Sequence, residues 1–195
     1  QGDEHLALFT NRGNFLFSYQ VLLKFAPVHG SSYFELADFN GDKHPDILYT
    51  NGDNADYSVI LKPYHGVRIF LNDGHNKFSE SWHHPMHGAS MARAVDFDFD
   101  GDLDIAAISF FPDFRNHPEH SFIYFENQNG KFTPHATAMA AAGRWITMET
   151  ADIDEDGDED VVLAALNFPT GVPQTLVDQW SENKVSLLVL RNNHK

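Results

Sequence analysis

One acidic motif occurs three times along the chain at nearly constant spacing, and this repetition restricts the fold more than any other feature. The copies read DFNGDKHPDIL from Asp38, DFDFDGDLDIA from Asp96 and DIDEDGDEDVV from Asp152, so they start 58 and 56 residues apart (96 − 38 and 152 − 96). Regular repeats of about this length are typical of solenoids and propellers, in which each repeat is one supersecondary unit. The alternative is a β-sandwich with acidic loops, but a sandwich does not require the same loop at regular intervals.

A second motif alternates with the acidic one. It reads VRIFLNDGHNKF at 67–78 and FIYFENQNGKF at 122–132, with shorter versions LALFTNRGNF at 6–15 and VSLLVLRNN at 185–193. Each copy is an alternating apolar strand followed by Asn and usually Gly, which is the pattern of a β-hairpin. The two motifs together predict four strands in each repeat, as in the blades of a propeller.

The predicted strands lie at 33–38, 46–50, 67–72 and from 78; at 92–97, 104–110, 122–126 and from 132; and at 146–153, 160–166 and 185–190. No segment of ordinary helical length has a clear 3.6-residue period. The predicted fold class is therefore all-β, a β-propeller of four-stranded antiparallel blades, with about three to three and a half blades in this chain.

The predicted boundaries follow from the repeat. Residues 1–30 are the end of one blade, 31–88 and 89–143 are complete blades, and 144–195 is a blade without its last strand. Because propellers normally have about 4–8 blades, we expect the chain to be part of a larger ring, plausibly of seven blades, or to complete a ring as two copies. Open strand edges would favour such self-association.

The second and third acidic motifs match D-x-D-x-D-G-x-x-D without a gap. Side-chain oxygens at positions 1, 3, 5 and 9 and a backbone carbonyl at position 7 would surround one point, while Gly101 and Gly157 make the turn at position 6. Calcium accepts about 6–8 oxygens at flexible angles, whereas magnesium requires a near-ideal octahedron and softer metals favour Cys or His. A solvated acidic turn is the alternative. The predicted calcium ligands are Asp96, Asp98, Asp100, Asp102, Asp104, Asp152, Asp154, Asp156, Asp158 and Asp160.

The first acidic motif departs from this pattern. Its predicted ligands are Asp38, Asn40, Asp42, Asp46 and the carbonyl of His44. Gly41 stands at position 4, Lys43 at position 6 and Pro45 at position 8. Lys43 must then adopt a backbone shape that suits glycine, and its positive charge would lie near the ion. We expect a third calcium site here, weaker in its sequence match than the other two.

The motifs resemble the integrin-α FG-GAP repeats and the bacterial VCBS-type repeats, from Leu6 to Asn193. The literal FG and GAP tripeptides are replaced by GRW at 143–145 and AAL at 164–166, so integrin-type ligand binding does not carry over. The resemblance implies a propeller with calcium in the loops between the first and second strands and a role in recognition or assembly. The family also includes bacterial secreted proteins and some polysaccharide-active enzymes.

Composition narrows the function further. The formal net charge of −15 is unlike the basic surface that nucleic-acid binding needs. The absence of Cys excludes disulfides, thiolate metal sites and Cys nucleophiles. No apolar run approaches the ~20 residues of a membrane span, and no known catalytic motif is present, so we expect a protein that is not an enzyme. Weak calcium sites would stay empty in the cytosol, which favours an extracellular, periplasmic or cell-surface location.

Partner binding is expected opposite the acidic loops, on the long loops between the second and third strands at 51–66, 109–120 and 167–183. Aromatic and polar side chains there suit a protein or carbohydrate surface, or they pack on their own blades. The side chains in question are Tyr57, Tyr64, His65, Phe111, Phe114, Arg115, His117, Phe168 and Trp180. The cluster of His83, His84 and His87 could bind copper, nickel or zinc, or it could simply end a strand.

The sequence thus predicts a calcium-stabilised, extracytoplasmic propeller domain for protein or ligand binding or for assembly. The alternative is the propeller portion of a carbohydrate-active protein, either a polysaccharide lyase or a lectin-like module.

Overall fold

The computed structural model of the chain describes residues 2–54 and 60–193. Within them, thirteen strands form four antiparallel sheets of two, four, four and three strands. The first sheet contains β1 (Glu4–Asn11) and β2 (Phe17–Phe25), and the second contains β3 (Ser31–Ala37), β4 (Asp46–Asn51), β5 (Gly66–Asn72) and β6 (Phe78–Pro85). The third contains β7 (Ala89–Val95), β8 (Asp104–Ser109), β9 (Phe122–Gln128) and β10 (Lys131–Ala136), and the fourth contains β11 (Trp145–Ala151), β12 (Asp160–Ala165) and β13 (Leu187–Leu190).

Strand order within each sheet follows chain order, so each sheet is an up-and-down meander. The first strand of the third sheet, β7, lies against β3 and β4 of the sheet before it, and β11 lies against β7 and β8. In the second, third and fourth sheets, the first strands of successive sheets are therefore neighbours. Four-stranded meanders stacked through their first strands give an all-β, propeller-like fold, as predicted.

The core lies between successive sheets. Leu48 and Ile69 of the second sheet pack on Ile105 and Phe125 of the third. A second cluster joins the third and fourth sheets, and a smaller one joins the first and second. Every residue of β4 and β8 is buried because these strands have a neighbouring sheet on both faces. Strands that are buried on both faces have short continuous apolar runs instead of alternating apolar and polar residues. The repeated motif therefore identifies them in the sequence more clearly than the alternation does.

The first strand of each complete repeat begins one to three residues earlier than predicted and ends before the first aspartate of the loop. A register shift causes this difference, because it interrupts the alternation of side chains near the start of the strand. The shifts lie at equivalent places, between Ser31 and Tyr33, Ala89 and Met91, and Trp145 and Thr147. A bulge places two residues opposite one on the partner strand, so the period-2 pattern predicts too short a strand there.

One α-helix is present although no segment of the sequence has a clear 3.6-residue period. The loop after β12 contains an α-helix, α1 (Gln174–Asn183), and Trp180 is the only residue of it that is buried. Its apolar face consists of Leu176, Val177 and Trp180, which cover about one turn, so the sequence shows no sustained 3.6-residue period there. Two short 3₁₀ helices, Pro118–Ser121 and Ala138–Ala142, precede β9 and β11. Neither α1 nor these turns is long and apolar enough to cross a membrane.

Candidate metal centres

The three acidic motifs form the loops between β3 and β4, β7 and β8, and β11 and β12; they are called here the first, second and third acidic loops. The last aspartate of each loop starts the next strand and is fully buried. One oxygen of its carboxylate accepts a hydrogen bond from the N–H of the second loop residue. These bonds join Asp46 to Phe39, Asp104 to Phe97 and Asp160 to Ile153, at 2.9, 3.1 and 3.1 Å.

The other oxygen of the same carboxylate accepts from the N–H of an asparagine that lies within two residues of the end of the third strand of the sheet. These bonds come from Asn72, Asn127 and Asn192, at 2.8, 2.7 and 2.9 Å. The Asn72 and Asn127 side chains donate to carbonyls of Pro45 and Leu103 in the loops, at 3.1 and 2.9 Å. The asparagine of the hairpin motif is thus the brace that holds the acidic loop to the sheet, a role that the sequence pattern did not reveal.

The carboxylate of the first aspartate of each loop accepts hydrogen bonds from backbone N–H groups of the turn. Asp38 accepts from Asp42 and Lys43 at 3.2 and 2.8 Å, and Asp152 accepts from Asp156 and Gly157 at 3.2 and 3.0 Å. Asp96 accepts from Gly101 at 3.1 Å. The turn therefore wraps around this carboxylate.

Each loop has left-handed backbone at positions 4 and 6. The φ angles are 72° and 69° at Gly41 and Lys43, 59° and 94° at Phe99 and Gly101, and 60° and 100° at Glu155 and Gly157. Each loop thus supplies one glycine for two left-handed positions. The first loop has its glycine at position 4 and the other two have theirs at position 6, so all three share one backbone shape although their sequences differ.

The two gap-free loops bring carboxylates together. One oxygen from each of Asp96, Asp98 and Asp104 lies within 4.8 Å of the others, and the same holds for Asp152, Asp154 and Asp156. In the first loop, Asn40 stands at position 3 and its side-chain nitrogen donates to Asp42 at 3.1 Å. The structure therefore places predicted ligands together most closely in the second and third loops.

Buried oxygens without donors show that these two loops fit a cation. Oδ1 of Asp96 and Oδ1 of Asp154 are buried and accept no hydrogen bond from the described residues. A carboxylate oxygen removed from water without a partner is costly, and a divalent ion would satisfy it. Arg191 approaches the other oxygen of Asp154 at 2.9 Å and supplies part of the positive charge that the third loop needs.

Burial also changes the pKa of the aspartates that end the first and second loops. Removal from water raises the pKa of Asp46 and of Asp104 above the ordinary value, although the backbone N–H groups that they bind act in the opposite direction. Only the second loop adds a hydroxyl, since Tyr124 donates to Asp104 at 2.8 Å. A bound cation would favour the charged form of both groups.

Side chains at position 7, where only the carbonyl was predicted to matter, contact the following hairpin. Asp102 accepts from the N–H of Asn129 at 2.6 Å, and the His44 ring lies against Gly74 so closely that a Cβ on this glycine would be 2.7 Å from Nε2. The N–H of Asp158 donates to Oδ1 of Asp156 at 3.3 Å, whereas both carboxylate oxygens of Asp158 are buried without a donor among the described residues. Removal from water, followed by the nearby Asp156 carboxylate, raises the pKa of Asp158. Position 7 therefore links the acidic loop to its sheet in the first two cases.

Most aromatic side chains predicted for a partner surface are instead packed inside the long loops. Phe114 is buried against Trp180 at 5.6 Å between ring centroids, and the Trp180 ring nitrogen donates to Ala141 at 2.8 Å. Tyr64 stacks on His29, and His65 is buried. Arg115 and His117 are exposed, and Tyr57 lies outside the described residues. The alternative that these loops pack on their own blades thus accounts for most of the set.

The histidines of the HHPMH segment do not form one ligand group among the described residues. The His84 ring packs against Trp82 and Phe125, at 6.1 and 4.8 Å between centroids. The histidine that does join other potential ligands is His117, whose Nδ1 is 3.1 Å from Glu119, with His120 stacked on it at 4.7 Å. The sequence analysis named His117 only as a loop side chain and did not identify this group, although its members lie within four residues of one another.

Sequence reasoning also missed Arg144, the middle residue of GRW, which is buried among aromatic rings. One sequence pattern marks residues that lie near Arg144 in the structure. It is P-x-H-G, which occurs at 63–66 and again at 85–88. Both histidines line a cavity that Arg144 closes.

Comparison with protein families agrees with the fold and the loops. Residues 50–107 and 96–163 match the FG-GAP-like repeat family, so the matches span more than half of the chain. The protein therefore belongs to the FG-GAP-like repeat family, whose repeats build propeller-type domains. No curated protein matches the chain.

Proposed function

We propose that this chain is a calcium-stabilised binding or assembly domain that works outside the cytoplasm and is not itself an enzyme. The observation that supports it best is the convergence of three carboxylates in each of two repeated loops, each with a buried oxygen that lacks a donor. Carboxylate and carbonyl oxygens without Cys or His are the ligands of calcium and other hard cations.

The ion would be held in the second loop by Asp96, Asp98, Asp100, Asp104 and the carbonyl of Asp102, with the equivalent set in the third loop. Calcium supplies positive charge there and ties the turn to the start of the next strand. A site with a Kd of about 10⁻⁴ M, at roughly 2 mM calcium, would add about 1.8 kcal/mol to the free energy of unfolding. Cytosolic calcium is too dilute for such sites, which supports the extracytoplasmic location.

Thermal unfolding with and without calcium tests this role. We expect chelation to lower the Tm by about 4–7 °C for each site lost, and added calcium to restore it while equal magnesium does not. Asp98→Asn should reduce the response, whereas Asp3→Asn, an exposed residue outside the loops, should leave it unchanged. A melting curve that does not respond to calcium would contradict the proposal.

Exposed apolar positions on the first and fourth sheets support a role in assembly. Counting back from the bracing asparagine, Phe9 of β1 is equivalent to Phe70, and Val189 of β13 is equivalent to Ile69. Phe70 and Ile69 are 6% and 2% exposed because a further sheet covers them, whereas Phe9 and Val189 are 60% and 44% exposed. Positions that the repeat buries elsewhere are thus open at both outer faces, and we propose that a second copy of this chain packs there.

Sedimentation over a range of concentrations tests this assembly. We expect association that weakens in a double variant, Phe9→Ser with Val189→Thr. Phe15→Ser is the matched control, because Phe15 is exposed in the turn between β1 and β2 rather than on a sheet face. A monomer at every concentration, or equal association of the double variant, would contradict it.

A further inference from the structure

A small cavity lies on the opposite side of the sheets from the acidic loops, where the long loops of three sheets meet. Its walls include Asn54, His65, His87, Phe111 and Arg144. The space inside is about 30 Å³, more than the ~10–15 Å³ that one water molecule requires. It therefore admits a group of a few non-hydrogen atoms.

Arg144 is a buried cation without a counter-ion among the residues that the structure describes. Only 1% of it is exposed, and no described carboxylate lies within ion-pair distance. Its guanidinium donates from Nε to the carbonyl of Phe110 at 2.7 Å and from Nη1 to the carbonyls of Phe168 and Thr170. Nη2 makes no hydrogen bond to the described residues.

Aromatic rings surround the same guanidinium. Its central carbon lies 4.6 Å from the ring centroid of Phe110, 4.7 Å from Phe111 and 5.1 Å from Phe114. Rings and carbonyls hold a cation without neutralising it. Burial lowers the pKa of Arg144 to about 10, and no charged group of the described residues adds to this shift. An anion in the cavity would supply the missing charge.

Asn54 adds an unpartnered acceptor to the cavity wall. It is 4% exposed, and its Oδ1 is buried without a hydrogen-bond donor among the described residues. Buried polar groups of this kind are normally satisfied, so the cavity has both a donor and an acceptor that lack a partner. The walls are well fixed, because Gly88 donates to Nδ1 of His65 at 3.3 Å and a Cβ on Gly88 would lie 2.5 Å from the Phe111 carbonyl.

We propose that this cavity binds the head of a small hydroxycarboxylate. The carboxylate accepts from Nη2 of Arg144, and the hydroxyl on the adjacent carbon donates to Oδ1 of Asn54. A carboxylate alone would leave the Asn54 oxygen unsatisfied, and a neutral hydroxyl compound would leave the guanidinium uncompensated. The site is separate from the acidic loops in both position and chemistry, so it does not depend on calcium binding.

Ligand-observed NMR with three matched probes tests the site, with the whole chain kept in saturating calcium. Glycolate has both groups, acetate lacks the hydroxyl and glycolamide lacks the charge. We expect saturable binding of glycolate, weaker binding of acetate, and glycolamide binding about tenfold or more weaker than glycolate, as for loss of one charge-assisted hydrogen bond.

Two variants locate the binding. Asn54→Leu replaces an unpartnered amide by an apolar group of similar size, so it should fold and abolish the preference for glycolate over acetate. Arg144→Gln should abolish binding of both anions, and Arg115→Gln, at an exposed arginine, should change neither. Absence of saturable glycolate binding in the unaltered protein, or binding that persists unchanged in a folded Asn54→Leu variant, would overturn the proposal.

Discussion

The first and second acidic loops have one backbone frame and two different sets of ligands. In both, the last aspartate is fully buried and accepts from the second loop residue and from the bracing asparagine. In both, positions 4 and 6 are left-handed. The second loop then gathers three carboxylates around a buried oxygen without a donor, whereas the first has an asparagine at position 3 and a lysine at position 6.

This difference separates two roles that the repeated motif combines. Position 9 and the asparagine of the third strand build the loop through hydrogen bonds within the chain, so the frame can form without an ion. In the proposed calcium sites, positions 1, 3 and 5 add ligands to this frame, and in the second loop the carboxylate of Asp104 at position 9 also lies with those of Asp96 and Asp98. We therefore expect that a repeat can lose cation affinity and keep its shape, and the first loop, which has the same backbone shape with an asparagine at position 3, is the place to test this.

The largest effect is expected from Asp104→Asn, which leaves the size of the side chain unchanged but removes the charge from the frame. The new amide group faces the N–H groups of Phe97 and Asn127, so at least one buried donor loses its acceptor. We expect a loss of about 2–3 kcal/mol in the free energy of unfolding, measured by urea unfolding in chelator. Asp46→Asn should cost a similar amount if the two loops share their frame.

Asp98→Asn is the control for this result, since Asp98 is a ligand position and not part of the frame. Its stability in chelator should match that of the unaltered protein within about 0.5 kcal/mol. If both variants lose equal stability without calcium, frame and ligands cannot be separated.

The second prediction concerns Asn40→Asp, which gives the first loop the carboxylate that the second has at position 3. Added ligand charge strengthens calcium sites, so we expect the calcium affinity of the first loop to rise about tenfold, or ~1.4 kcal/mol. Calorimetric titration in an Asp98→Asn, Asp154→Asn background would isolate this loop. Unchanged affinity would mean that the first loop does not bind through position 3.

The third prediction uses the left-handed residue of the first loop. Lys43 has a φ of 69°, so Lys43→Gly should stabilise the protein by about 1 kcal/mol in chelator. The matched reverse change is Gly41→Ala, at a φ of 72° with open space around a new Cβ, which should cost a similar amount through backbone strain alone. Denaturant midpoints measure both, and a destabilising Lys43→Gly would show that the lysine side chain has a role of its own.

Much of the fold could be predicted because the chain repeats itself. The spacing of the acidic motifs located the strands, and the predicted left-handed backbone at Lys43 is confirmed. The starts of β3, β7 and β11 could not be predicted, since bulges break the alternation, and α1 could not because its only buried residue is Trp180. Calcium binding itself stays a prediction.

The two kinds of candidate site also differ in how well the sequence predicts them. Ligand positions within one loop are visible in the sequence because nine residues contain the whole set. The cavity around Arg144 was not visible, since Asn54, His87 and Arg144 come from loops that are far apart in the chain and meet only when three sheets stack. Residues that meet only in the folded protein have no regular spacing in the sequence from which the site could be predicted.

The smallest expected effect belongs to Tyr124→Phe, which makes the second loop more like the first, where Ile69 occupies the equivalent position. The Tyr124 hydroxyl donates to the charged form of Asp104 and so lowers the pKa of this carboxyl, which burial raises. Loss of this bond should cost about 1 kcal/mol at pH 7 in chelator. Because the bond favours the charged carboxylate, the difference between variant and unaltered protein should shrink as the pH falls through the folded pKa of Asp104, which lies above the ordinary value near 3.9. Urea unfolding at pH 7 and at about pH 4 measures it, and a difference that grows on acidification would mean that the hydroxyl stabilises something other than the Asp104 carboxylate.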